Sequence, residues 1–184
     1  MARSDLHQSA RRSCCQRRKR DRASGTLRNR TQAGRSGMIA RIGRTIDELS
    51  VGETAYFAKT FSEADMLLFA GVTGDVNQLP INEEFAKKTR YGRRIAHGML
   101  TASFITNIIG MRLPGYGSTM SRQSVRFVKP VYVGDTIEVG LKLTELRVAE
   151  NEADFSANAT NQHGEVVMTA SGTIIPPVPF EEQA

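Results

Sequence analysis

The sequence predicts an α+β domain in which an antiparallel sheet wraps around one long central helix. Three observations predict it. From Gly98 to Met111 no side chain is charged, and Met99, Leu100, Ala102, Phe104, Ile105, Ile108 and Ile109 cover most of the helical circumference, so this helix needs cover on several sides. Downstream, four segments alternate apolar with polar residues, the period of strands with one buried face. Upstream stand one short strand and shorter helices, and that order describes a sheet curled around a helix.

The elements follow in order. Asp47 to Thr54 forms a loop whose Val51-Gly52 turn feeds a strand at Ala55 to Thr60. Ser62 N-caps the next helix, with Glu63 and Asp65 in its first turn, where the helix dipole favours acids. Met66, Leu67, Phe69 and Ala70 supply its apolar face and Gly71 ends it. The turn Thr73-Gly74-Asp75-Val76-Asn77 comes next, then a short helix capped by Asn82 that holds Phe85 inward and runs to about Thr89. The basic stretch Arg90 to Arg94 precedes the central helix. Beyond it, Val125 and Phe127, then Ile137 to Leu143, Ala153 to Ala159 and Val166 to Ile174 form four strands in meander order, joined by turns such as Val133-Gly134-Asp135 and Gln162-His163-Gly164. The tail from Pro176 frays. This is the hot-dog arrangement.

Charge divides the 184 residues unevenly. Residues 1–37 hold eleven Arg and Lys against two Asp, which leaves 14 basic and 17 acidic groups for residues 38–184. The leader lacks the apolar residues of a core and is expected to be disordered. An Arg-rich transit peptide, a nucleic-acid-binding arm and a natural start at Met38 compete to explain it, and the abrupt onset of patterned sequence after Gly37 favours Met38. The expected domain spans residues 38–176, with 177–184 as its tail. Its mildly acidic balance gives no reason to invoke nucleic acid. Cys14 and Cys15 both lie in the leader, so the domain has no disulfide and no cysteine-based metal site, which suits the cytoplasm. At fourteen residues the apolar helix is too short to span a bilayer, so no membrane association is expected.

The order Gly74-Asp75-Val76-Asn77, then Phe85-Ala86 with Thr89, the basic patch, Ile95-Ala96-His97-Gly98-Met99-Leu100, and the stretch SVRFVKPVYVGD resembles the MaoC-like dehydratases, including the (R)-specific enoyl-CoA hydratases, over about Thr45 to Ile175. The resemblance implies a hot-dog fold, usually dimeric, without cofactor or metal. It also implies a reaction that adds water to a trans-2-enoyl thioester or removes it from a 3-hydroxyacyl thioester. The family signature runs roughly G-D-x-N-P-x-H. Asp75 and Asn77 match it; Gln78 stands in place of the proline and Pro80 in place of the catalytic histidine.

By that resemblance Asp75 carries the proton, the backbone N–H of Gly98 stabilises the oxyanion, and Thr106 occupies the position of a supporting hydroxyl. Hydration needs a proton acceptor for water, a proton donor for C2, and donors for the enolate oxygen. Pro80 can move no proton. One carboxylate suffices in principle when H and OH add from one face. The bland alternatives stand beside these roles: Asp75 and Asn77 as turn-formers, His97 packed at the helix start, His163 solvated in a hairpin, Arg90, Arg93 and Arg94 as a solvated loop instead of a seat for coenzyme A phosphates, and Met66, Phe69 and Ile105 as core instead of acyl tunnel. The leading expectation is a dimeric, cofactor-free hydratase or dehydratase acting on acyl-CoA. Its rival is a catalytically degenerate hot-dog subunit that binds acyl thioesters or pairs with an active paralogue; a thioesterase shares the fold but not this pairing of motifs.

Overall fold

The computed structural model describes residues 42–179. The expectations for the leader, the start at Met38 and the last five residues lie outside the described residues. One antiparallel sheet contains β1 (Thr54–Thr60), β2 (Thr119–Phe127), β3 (Thr136–Arg147), β4 (Glu152–Thr160) and β5 (Val166–Ile175), in the order β1-β3-β4-β5-β2. Phe57 sits opposite Val139, Leu141 opposite Ala157, and Ala157 opposite Ala170, which in turn faces Val125. Only β3 to β5 form a meander. The expected neighbour relation of the second and third strands is wrong, because Val128 to Asp135 crosses to the far side of the sheet instead of making a hairpin. Alternation tells which face a residue occupies; it carries no information on which strand lies alongside.

The central helix, α4 (Gly98–Met111), has the expected bounds and packs on the face formed by Ile137, Val139, Leu141, Leu143, Phe155 and Met168, all fully buried. Ile105 and Ile108 are fully buried between the layers. Phe104 stacks on Phe61 at 5.0 Å and meets Phe57 edge-on at 5.1 Å. Each large apolar side chain buried here contributes about 1.5–3 kcal/mol. The helix is not enclosed all round, however: Met99, Thr106 and Met111 are exposed.

Three helices precede it. In α1 (Glu63–Thr73), Ser62 and Asp65 form a capping box, and Asp65 also pairs with Lys59. Met66 and Ala70 face the core while Leu67 is exposed, contrary to expectation. The helix continues past Gly71 and ends at Gly74, whose φ of 73° lets its N–H reach the Ala70 carbonyl at 2.8 Å. Either glycine is compatible with a helix end; only Gly74 takes the left-handed conformation that makes one. Then α2 (Gln78–Ile81), which the sequence reading did not anticipate, is capped by Asn77, and α3 (Glu83–Ala86), capped by Asn82, stops before Thr89. Ala86 is its buried residue, and Phe85 points outward at 45% exposure. At the C-terminus, Pro176 and Pro177 are buried, and Asn151 Nδ2 donates to the Pro176 carbonyl at 2.9 Å. The chain therefore stays anchored beyond the point where fraying was expected.

Candidate active site

The site lies where the Gly74–Asn77 turn meets the start of α4. Thr73 Oγ1 donates to the Phe69 carbonyl at 2.8 Å and accepts the Asp75 N–H at 3.2 Å. Asp75 Oδ1 accepts the Asn77 N–H at 3.2 Å, and Asn77 Oδ1 accepts the Leu79 N–H at 3.0 Å. Successive Asx turns thus hold the loop. They engage one carboxylate oxygen of Asp75 and leave the side chain 53% exposed.

His97 is the N-cap of α4, but its side chain caps nothing in that helix. It is buried instead beside the Asp75 turn, with Nε2 3.1 Å from the Asp75 carbonyl and 3.7 Å from Asp75 Oδ2. The Phe69 ring packs against it at 5.1 Å. Gly98 follows as the first helical residue, so its N–H has no intrahelical acceptor and points with the positive end of the helix dipole.

Asp75, Asn77, His97 and Gly98 line one cleft of about 390 Å³, together with Phe69, Thr73, Leu79 and Pro80. Pro80 is buried in its wall. The far side of the Ile95-Ala96-Gly98 strip borders a second cleft, of about 450 Å³, whose lining includes Arg90, Tyr91, Phe127 and Lys129. A side chain at position 98 would place its Cβ 2.9 Å from the Phe127 ring, so glycine is what permits this ring to close over the helix start.

Not every candidate converges here. Thr106 is exposed, and its hydroxyl donates to the Ser103 carbonyl at 2.6 Å. It lies about two helical turns from Gly98 and lines neither cleft, so the structure does not bring it together with Asp75 and Gly98. Arg94 lines neither cleft; its guanidinium holds Glu63 at 2.6 and 2.7 Å, Glu83 at 3.2 Å and the Ile81 carbonyl at 3.3 Å, which staples α1 to the α2–α3 corner. That guanidinium also lowers the pKa of the Glu63 carboxyl. Arg93 lies over the Tyr132 ring at 3.8 Å. Of the three arginines only Arg90 lines either of the two clefts at the helix start, with a guanidinium nitrogen 2.6 Å from Tyr91 Oη; Arg93 and Arg94 line a smaller pocket with Glu83 and Tyr132. Met66 and Ile105 are core, whereas Phe69 lines the Asp75 cleft. His163 is exposed in its hairpin. Among the described residues, no three His, Cys, Asp or Glu converge as metal ligands would.

The sequence names Thr73 only as a turn residue and Phe127 only as a strand residue, and assigns neither of them, nor Leu79, a place in the site. Thr73 stands two residues before Asp75, where a hydroxyl can receive the turn's N–H, and that spacing was an available signal. Phe127 comes from a distant strand, and nothing local announces it.

Chemically, the cleft offers one exposed carboxylate, a helix-start amide and an apolar wall. Residues 45–165 match the family model described as "MaoC like domain". The chain is 39% identical over 131 residues to the (R)-specific enoyl-CoA hydratase of Rhodospirillum rubrum, spanning 71% of this chain and 90% of that protein. It is 38% identical over 138 residues to the 3-hydroxybutyryl-CoA dehydratase of Methylorubrum extorquens, spanning 75% and 86%. Among solved structures it resembles the (R)-hydratase from A. caviae involved in PHA biosynthesis, with a TM-score of 0.68, 35% identity, and coverage of 71% of this chain and 98% of that one. With the family model running through most of the described fold and these identities sustained along it, the chain belongs to the MaoC-like domain family.

Proposed function

We propose that this chain hydrates trans-2-enoyl-CoA to (R)-3-hydroxyacyl-CoA, or runs the reverse dehydration, with Asp75 as its one proton carrier. The observation that carries this reading is a single cleft bordered by both the Asp75 carboxylate and the Gly98 amide. The Asp75 carboxylate takes a proton from water as the water oxygen bonds to C3. The electron pair of the double bond moves toward the thioester oxygen, where the Gly98 N–H stabilises the charge. Asp75 then returns its proton to C2, so the added H and OH arrive on one face and the carboxylate is regenerated. Thr73 and Asn77 act by holding the turn.

Arg90 gives the second cleft positive charge suited to the phosphates of coenzyme A, and Lys129, paired with Glu165 at 2.6 Å, stands beside it. A homodimer is part of the reading. Among the described residues β2 leaves one edge of the sheet unpaired, and an edge of this length invites pairing with a second copy. Work in the cytoplasm is also part of it, supported by the confinement of Cys14 and Cys15 to the leader.

Pro80 supports the second reading, a degenerate subunit that binds acyl thioesters without turning them over, because it removes the acid–base partner. Mixing the full chain with crotonyl-CoA decides between them. The hydratase reading expects loss of the conjugated thioester absorbance and an (R)-3-hydroxybutyryl product; binding with unchanged absorbance favours the degenerate subunit.

A further inference from the structure

We propose that His97 is a positioning residue that sets the distance between the proton carrier and the oxyanion donor. The proposal rests on the hydratase reading for its kinetic consequence and on geometry for the rest. His97 belongs to both halves of the site at once: its backbone immediately precedes Gly98, and its side chain reaches across to Asp75. With Nε2 3.1 Å from the Asp75 carbonyl and 3.7 Å from its carboxylate, a neutral His97 ring places its proton on Nε2. A bare Nε2 would set a lone pair against two oxygen acceptors. The other nitrogen, Nδ1, is then an acceptor, and it is buried without a hydrogen-bond partner among the described residues.

Burying an unpaired ring nitrogen is costly, which a residue with only a packing role would have no reason to bear. Hydrophobic side chains would fill the space beside Phe69 equally well. What the imidazole adds is one N–H donor at a fixed reach from the helix start. It ties the Asp75 turn to α4 through a single rigid ring, and the side chain is 4% exposed, so solvent cannot easily substitute for it. In this chain the tie carries more weight than it would beside a second acid–base group. Pro80 offers Asp75 no hydrogen bond, so His97 is the one side chain among the described residues that donates to Asp75 from across the cleft.

The test uses the full chain as wild type, His97→Gln and His97→Ala. Glutamine places an amide N–H at a reach similar to Nε2; alanine has none. With crotonyl-CoA, His97→Ala is expected to lower kcat by about 10–10²-fold, the scale of an ångström-sized misplacement, while KM changes little. His97→Gln is expected to recover most of that loss. A packing role alone would lower the melting temperature of both variants and leave kcat of the folded protein unaltered. Nitrogen NMR of ¹⁵N-histidine-labelled wild type, with His97→Gln identifying the signal, should show a protonated Nε2 and a bare Nδ1. A proton on Nδ1, an undiminished kcat in His97→Ala, or a glutamine variant no better than alanine overturns the proposal. If wild type shows no turnover, the hydratase reading fails separately, and the nitrogen spectrum alone decides the tether.

Discussion

Two aspartates in this molecule live in opposite surroundings. On the outward side of the sheet, Asp154 is clamped by Arg147 at 2.7 and 2.9 Å and by the Thr173 hydroxyl at 2.6 Å, while Glu152 takes the same guanidinium at 2.8 Å. The Arg147 hydrogen bonds, with help from Thr173, push the Asp154 pKa down to about 2. At the cleft, Asp75 has no Lys or Arg within 4.0 Å among the described residues, and only backbone N–H groups and His97 approach it. A carboxylate whose two oxygens are held by a guanidinium and a hydroxyl holds strands together and is a poor base. One with a free oxygen beside an apolar wall can accept a proton and give it back.

The largest way to break or sharpen this contrast is at Pro80. Pro80→His would put an imidazole in the wall of the Asp75 cleft, and kcat with crotonyl-CoA is expected to rise by about 10²-fold or more, the worth of one general acid–base group. No rise would mean that Asp75 already works with a partner other than the missing histidine.

At the clamped aspartate the expected effect is on stability alone. Asp154→Asn should lose about 1–2 kcal/mol by urea titration, typical of a charge-assisted hydrogen bond, with kcat unchanged. The pH dependence has a definite sign. Because the folded pKa of Asp154 lies at about 2, below the ordinary value near 3.9, its contribution is fully present above about pH 4 and is lost as pH falls toward 2. Asp65, held at about 2 chiefly by Lys59 and then by Ser62, behaves alike. Urea midpoints measured from pH 6 down to 2 should therefore fall less steeply in Asp154→Asn than in wild type.

The smallest effect is expected at Gly98→Ala. The new Cβ would meet the Phe127 ring at 2.9 Å, but that ring is 48% exposed and can swing away. A loss of about 1 kcal/mol, read from the melting temperature, is expected while the backbone donor stays in place.

Much of the fold was legible because burial writes itself into composition and period. The uncharged run from Gly98 to Met111 gave α4 its bounds, and Ile137 to Leu143 and Ala153 to Ala159 gave β3 and β4 their inward faces. Strand order was not legible, since alternation is silent about neighbours, and β2 pairs with β5 instead of β3. Phe85 was placed inward on hydrophobicity, yet the small Ala86 fits the crowded corner. At the site, Asp75, Asn77, His97 and Gly98 were found on one cleft as the motif order suggested. Thr106 and Arg94 were not, because a helix face and an ion-pair partner are set by tertiary packing. Nothing in the local sequence around Arg94 reports Glu63, 31 residues away.

The central claim is that one carboxylate performs both proton transfers. Asp75→Asn keeps the size of the side chain and an amide oxygen for the turn but cannot carry a proton. Its hydration of crotonyl-CoA, followed by thioester absorbance beside wild type at equal folded concentration, tests the claim most directly. The account predicts measurable turnover in wild type and a fall of at least about 10²-fold in the variant, with the melting temperature preserved. Turnover in Asp75→Asn equal to that of an active wild type would contradict it.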